Sequence, residues 1–440
     1  MIRPELKTMF MKTIKYFLAL IAICFMMSCK TIVKTNNSTI TSENHTSLSN
    51  SENVDVIKDG QMTQENSMTE FSFEIFKQVS LLKPEENISF SPASLNIAMG
   101  MVYSGARNST ASEISTVMGY NPNREIFLKS FSTYLKYLND FSTDSEVEFN
   151  LANRIFLEKD YLIRDDYREL IKLYFDGAFQ NVDFRNNFKI EEKKINSWVS
   201  EMTRKRINNL IPEGTLTDET RMVLVNAIFI KSKWKFPFTE TTTSKKDFFV
   251  NNNETAQTDF MIQREKGFGY ADFDGIQVLE MPYTSPELSL IVILPHDSNS
   301  ENISKYIPVY AQYEKICQNL RFSDVYVEIP KFKTESSFKL ADILIEMGVK
   351  SAFETADFSG ITDYNNLAIS EVIQKVFFEV DEKGSEAAAA TAVIMYETSS
   401  VQNIEFDNFE SFIANRPFIY ILKEKKYNTP LFVGLYVNPN

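Results

Sequence analysis

Residue types that carry catalysis or hold metals are scarce in this chain. Of 440 residues only two are histidine and three cysteine. A Ser-His-Asp or Cys-His pair would have to use His45, in a polar stretch, or His296, which Asp297, Ser298 and Asn299 follow in what reads as a turn. Neither setting suits a hydrolase. Cys24 and Cys29 fall in the N-terminal apolar region, so Cys317 is the single thiol of the remainder and an internal disulfide is excluded there. Cys317 itself reads as a partly buried helix cysteine. Zinc-ligand spacing and a glycine-rich phosphate loop are both lacking. Basic charge is also in deficit, with 46 Lys and Arg against 59 Asp and Glu for a net −13. That balance argues against nucleic acid and anionic membrane surfaces as partners. No Pro-, Gly- or Ser-rich linker divides the chain after about residue 67, so one large domain is expected despite the length. Core material is ample, at 43% apolar residues and 36 phenylalanines.

The N-terminus reads as an address. The apolar run Tyr16 to Met27 is too short for a comfortable membrane span, and with Lys12 and Lys15 before it has the layout of a secretory signal. It closes on Met27-Ser28-Cys29, which resembles a bacterial lipoprotein cleavage box, where a small residue precedes a cysteine whose thiol accepts a diacylglycerol group. Met26 stands where leucine is usual. This resemblance implies lipidation at Cys29 and an outer-membrane or cell-surface location, with a plain cleaved signal and secretion as the other reading. Met11 is a second candidate start. Residues from Lys30 to about Asn66, rich in Asn, Ser and Thr, read as a flexible tether. The expected organisation is a signal over 1–29, a tether over 30–66 and a folded domain over 67–440.

The most informative stretch is Glu382 to Thr391. The run before it, Leu367 to Val380, places Ala368, Val372, Val376, Phe378 and Val380 on one face, the signature of a strand with one face in a core. Ser370 and Gln374 interrupt that face and need hydrogen-bond partners. Glu382, Gly384, Ser385 and Glu386 then lead into Ala387, Ala388, Ala389, Ala390 and Thr391. Local propensity favours a short alanine-rich helix capped by Ser385. The flanking strand pattern and the apolar Val393 to Tyr396 favour a segment that must fit inside a sheet. If extended, Ser385, Ala387, Ala389, Thr391, Val393 and Met395 share a face that is small or apolar throughout.

Further patterns occur in order along the chain. Asn87 to Leu95, with Gly105-Ala106 and Thr110, reads as a helix start: Ser91 can cap orphan amides, Pro92 suits the first helical position, and Leu95, Ala98, Met99, Val102 and Ala106 share a helical face. Then come Ile195-Asn196-Ser197-Trp198-Val199 with Thr203, Leu224 to Phe229 with Lys231 and Trp234, Pro330-Lys331-Phe332, Leu340, Met347-Gly348, Ala356 to Gly360, and Asn415-Arg416-Pro417-Phe418. Together with the stretch from Glu382 to Thr391 they resemble the serpin family over roughly residues 67 to 440.

The resemblance implies an α+β fold of three β-sheets and about eight or nine helices, with an exposed reactive-centre loop over about 382–405. Glu382, Gly384, Ser385, Glu386, Ala387 to Ala390 and Thr391 match the family's hinge. The implied function is suicide-substrate inhibition of serine proteases, and of papain-like cysteine proteases as a further class: the protease acylates itself on the loop, and the cut loop inserts as a new strand of the largest sheet. The other implied reading is a non-inhibitory serpin acting as a binding protein or chaperone. Ser91, Ser94, Asn226, Trp234 and Gln374 correspond to the region where that sheet opens, with Gln374 standing where many members carry a histidine. Counting from the hinge puts the scissile bond at Thr398-Ser399, whereas counting back from Asn415-Arg416 points near Asn403. Thr398 suits elastase-like or subtilisin-like pockets and Tyr396 chymotrypsin-like or papain-like ones, and the lack of Lys or Arg between Gly384 and Arg416 argues against trypsin-like targets. Arg124, Lys129 and Lys136 are offset by Glu125, Asp140 and Asp144, so no heparin-like cofactor is expected. A monomer, held to a membrane through a lipid anchor only, completes the expectation.

Overall fold

The computed structural model describes residues 66–141, 146–175, 178–297, 300–364, 366–385 and 409–439. Among them are eight α-helices: α1 over 66–82, α2 (Pro92–Gly105), α3 (Asn108–Met118), α4 (Arg124–Asp140), α5 (Asp165–Phe175), α6 (Phe184–Met202), α7 (Tyr310–Asn319) and α8 (Ala341–Met347). The strands are β1 (Ile88–Phe90), β2 (Val147–Glu158), β3 (Ala178–Val182), β4 (Met222–Lys233), β5 (Ser244–Asn251), β6 (Glu254–Phe273), β7 (Ile276–Pro282), β8 (Leu288–Pro295), β9 (Arg321–Pro330), β10 (Phe332–Lys339), β11 (Glu371–Val380), β12 (Gly384–Ser385), β13 (Glu410–Ile413), β14 (Phe418–Glu424) and β15 (Pro430–Tyr436).

A six-stranded sheet has the order β10-β11-β12-β4-β2-β3, and a nine-stranded one runs β1-β15-β14-β8-β7-β6-β9-β13 with β5 on β6. The expected α+β architecture is thus present, with its three sheets drawn into two hydrogen-bonded networks. The cause is β6, which pairs with β5 near its start, with β9 through its middle and with β7 at its end. Its register shifts between Lys266 and Phe268, where Gly267 has φ 100°. A glycine bulge of this kind turns a strand without ending it, so one strand serves two sheets.

Both faces of the six-stranded sheet are covered. One packs on the main core, the other on a smaller cluster in which Ile195 and Val199 of α6, and Ile207 and Leu210 after it, meet Val225, Ala227, Ile373 and Phe377. The sheet's middle is therefore apolar on both sides, and Met222 to Ile230 of β4 are all buried. This corrects the expectation for β11. Val372, Val376, Phe378 and Val380 face the main core as the alternation implies, but Ile373 and Phe377 are buried too, and Ala368 precedes the strand. Helix α2 departs likewise from a single apolar face, since all its residues are buried. It lies inside the domain against β4, β2 and β15. Its start is as the sequence suggests, with Pro92 at the first position and the Ser91 hydroxyl accepting from Ser94 N at 3.3 Å.

Candidate functional site

Strands β4 and β11 run parallel and pair directly from Glu371 opposite Val223 to Val376 opposite Ile228. Four residues further along β11 the seam is forked. There β12 lies between the two strands and antiparallel to both, with Ser385 opposite Val380 on one side and Ser232 on the other. Gly384 is required at the fork, because a Cβ there would sit 2.1 Å from the Ser232 carbonyl oxygen.

The elements around the fork clamp the chain that leads into it. Trp234 donates through its backbone N–H to Lys383 O and through Nε1 to Asp381 O, both at 2.9 Å, and its ring stacks on Tyr283 at 4.4 Å. The Tyr283 hydroxyl bonds the Ser385 hydroxyl, and burial raises its pKa well above the ordinary tyrosine value. Phe238 N–H donates to Glu382 O at 2.8 Å. The Glu382 carboxylate is nearly buried, accepting from Lys331 Nζ at 2.9 Å and Thr243 Oγ1 at 2.8 Å. Burial opposes its ionisation, but those donors bring its pKa below the usual carboxylate value. Lys331, in turn, is raised by its bond to Glu382.

Lower in the seam, Gln374 and Asn226 are register partners and both are fully buried. Gln374 Nε2 donates to Asn226 Oδ1 and to Ser91 O, each at 2.8 Å, while its Oε1 accepts from Ser91 N at 2.9 Å. Asn226 Nδ2 donates to Ser94 O at 2.8 Å, and the Ser94 hydroxyl donates to Asn153 Oδ1 at 3.0 Å. Hence β11, β4, β2 and the start of α2 meet in one satisfied polar network within an apolar core. The other interruption, Ser370, accepts from Arg221 N at 2.9 Å.

The structure thus brings Ser91, Ser94, Asn226 and Gln374 together, and joins Trp234, Glu382, Gly384 and Ser385 at the fork. Glu386, Ala387 to Ala390, Thr391, Thr398, Ser399 and Cys29 lie outside the described residues, as does the alanine helix considered for that stretch. Tyr283, Thr243 and Asn153 carry no sequence signal of their own, and Lys331 was visible only as part of Pro330-Lys331-Phe332. Of the residues set aside, His296 contacts Asp272 at 3.1 Å on the surface. Cys317 is half-buried on α7, its thiol pKa raised by that burial. No metal-binding group of His, Cys, Asp and Glu occurs among the described residues.

Comparison with known proteins places this geometry. A family model described as serpin, serine protease inhibitor, matches residues 66–439. The chain is similar to serpin B4 of Homo sapiens, 36% identical over 389 residues that cover 84% of this chain and 98% of that protein. It is 35% identical to the leukocyte elastase inhibitor of Xenopus tropicalis over 381 residues, 85% of this chain and 99% of the relative. Among solved structures, Serpin48 of the insect Tenebrio molitor superposes with a TM-score of 0.75 at 30% identity, covering 86% of this chain and 98% of that one.

Proposed function

The chain belongs to the serpin family, and on that premise we propose that it is a suicide-substrate inhibitor of serine proteases, with papain-like cysteine proteases as a further class. The observation that carries this reading is the forked seam. A segment already lies between β11 and β4 and antiparallel to both, so continuing it downward needs no change of direction or face. Antiparallel partners step one for one. Ala387 would then fall between Phe378 and Ile230, Ala389 between Val376 and Ile228, and Thr391 between Gln374 and Asn226. Alanines suit the first two places, where a large side chain would overpack the core. Thr391 brings a hydroxyl to the point where insertion parts the Gln374–Asn226 bond, and it can both donate and accept there.

In this mechanism the protease's activated nucleophile attacks the Thr398 carbonyl, the peptide bond breaks, Ser399 leaves as the new amine carrying the proton the nucleophile gave up, and Thr398 stays bound to the enzyme as an ester of its serine or a thioester of its cysteine. Insertion competes with hydrolysis. Thirteen residues separate Ser385 from Thr398, and at about 3.3 Å each they carry the ester about 43 Å down the seam. The parallel β4–β11 pair becomes two antiparallel pairs, the slightly more stable arrangement. Incubation with elastase, subtilisin, chymotrypsin and papain, followed by denaturing electrophoresis, tests the reading. A covalent complex supports it. Clean cleavage without a complex would instead indicate a non-inhibitory binding protein or chaperone.

We further propose that Cys29 is lipidated and holds the domain at a membrane through the tether, with Ser28-Cys29 after a short apolar run as the supporting feature. Two or three acyl chains, at about 0.8 kcal/mol per buried methylene, would anchor it without a spanning helix. Cys29→Ala should abolish lipid labelling and leave inhibition intact. Recovery of unaltered protein as a soluble, unlipidated species would replace this with plain secretion.

A further inference from the structure

Arg416 carries a charge that no carboxylate of the described residues neutralises. It stands in the link between β13 and β14, where Pro417 next to it disfavours a helical backbone. Its Nε donates to Pro295 O at 2.7 Å and its Nη1 to Asn415 Oδ1 at 3.2 Å, both neutral acceptors. Nη2 has no partner among the described residues, and no carboxylate there comes within ion-pairing distance of the guanidinium. Arg164 shows the contrast, since it pairs with both Asp166 and Asp363. Burial acts alone on Arg416 and lowers its pKa, so the half-buried cation is partly desolvated without compensation. A group in that state gains from an anion brought to it.

Arg416 lines a cleft of about 540 Å³. The β5–β6 hairpin supplies a wall through Phe249, Asn251 and Thr255, and His296 after β8 also borders it. Phe249 and Thr255 are register partners whose neighbours Phe248 and Ala256 are buried, so the pair shares the outer face. Phe249 is 41% exposed there, an apolar wall in a cleft whose other lining residues are polar. Its backbone N–H donates to Asn415 O at 2.8 Å, which fastens the hairpin to the residue before Arg416. Asn251 Oδ1 accepts from Asn253 N at 2.8 Å, which leaves its amide N–H groups as donors. His296 Nε2 meets Asp272 Oδ1 at 3.1 Å, so that carboxylate is engaged by the imidazole and not by Arg416.

These features select the ligand. A single uncompensated cation calls for a single negative charge, and in a chain of net −13 a dianion such as phosphate would leave one charge in excess. The planar guanidinium fork fits a carboxylate. The Phe249 ring suits an apolar group on the same molecule. We propose that this cleft binds a monocarboxylate with an aromatic or aliphatic body, its carboxylate on Arg416 and its body on Phe249. The lining residues belong to the nine-stranded sheet or its connections and none to the β4–β11 seam, so this binding function is separate from loop insertion. Ligand-observed NMR titration of the purified full chain with phenylacetate tests it. One site per chain is expected, with Kd about 1 mM or tighter. Phenylacetamide, which lacks the charge, and acetate, which lacks the ring, should each bind at least about tenfold more weakly, and Arg416→Gln should weaken phenylacetate by a similar factor. Because Arg416 also bonds Pro295 O, Phe249→Asp serves as a second variant. It alters an exposed side chain and brings a carboxylate of the chain's own to the cleft, so it should abolish binding while the thermal midpoint stays within about 2 °C. Equal affinity for phenylacetate and phenylacetamide, undiminished binding in Phe249→Asp, tighter binding of phosphate than of phenylacetate, or no binding up to about 10 mM overturns the inference.

Discussion

Gln374 and Asn226 face each other across the parallel pair β11 and β4, with Nε2 donating to Oδ1 at 2.8 Å, on the line along which a loop strand would enter. The bond serves the closed sheet and must part when the sheet opens. Gln374 also satisfies both the N–H and the carbonyl of Ser91, so it ties the seam to the start of α2.

Gln374→Leu should accordingly destabilise the intact protein. It leaves the Ser91 N–H and the Asn226 carbonyl oxygen buried without these partners, at about 1–3 kcal/mol for each such group. A fall of roughly 5 °C in the thermal midpoint of the intact form is expected by calorimetry. An unchanged midpoint would mean that the network does not hold the seam closed.

The Lys331–Glu382 pair gives the upper end of the seam an acid dependence. Glu382 titrates below its ordinary 4.5, so the stability it contributes is complete above that value and disappears as pH falls through the lowered one. Trp234 reports this region, and the chain's other tryptophan is Trp198, so a Trp198→Phe background isolates its emission. Acidification through the lowered Glu382 pKa, beneath its ordinary 4.5, should shift Trp234 emission as the clamp loosens. Glu382→Gln should show the loosened spectrum already at pH 7 and lose the acid step, whereas an acid step unaltered in Glu382→Gln would assign it to another group.

Ser385→Arg bears on entry itself. Ser385 is 2% exposed, lies between Val380 and Ser232, and bonds Tyr283, so no room exists there for a guanidinium. Burying an unpaired charge costs several kcal/mol, which should stall insertion. The variant should still be cut, but as a substrate, with covalent complex reduced at least about tenfold on denaturing gels. Full complex yield would show that the strand does not enter through this fork.

What the sequence disclosed followed from how local each signal is. Ser91 and Pro92 specify a helix start within four residues, and the alternation before Val380 specifies a strand, so both were readable. Burial on the second face of β11 was not, because Ile373 and Phe377 are covered by Ile207 and Leu210 from a distant turn. For the same reason α2 displayed an apolar stripe in sequence but is buried all round in the fold. Polar partners were the hardest to foresee. Gln374 reaches Ser91 across 283 positions and Glu382 reaches Thr243 across 139, and neither spacing leaves a periodic trace. The stacking of Trp234 on Tyr283 and the length of β6 that joins two sheets are likewise products of tertiary packing.

The most direct test of the account is the thermal midpoint of the purified domain before and after a single verified cut in the loop near Thr398. If the cut segment inserts, β4 and β11 gain a complete antiparallel strand between them, and the midpoint should rise by tens of degrees, on the order of 20 °C or more. A midpoint that stays where it was after cleavage would contradict insertion, and with it the inhibitory mechanism.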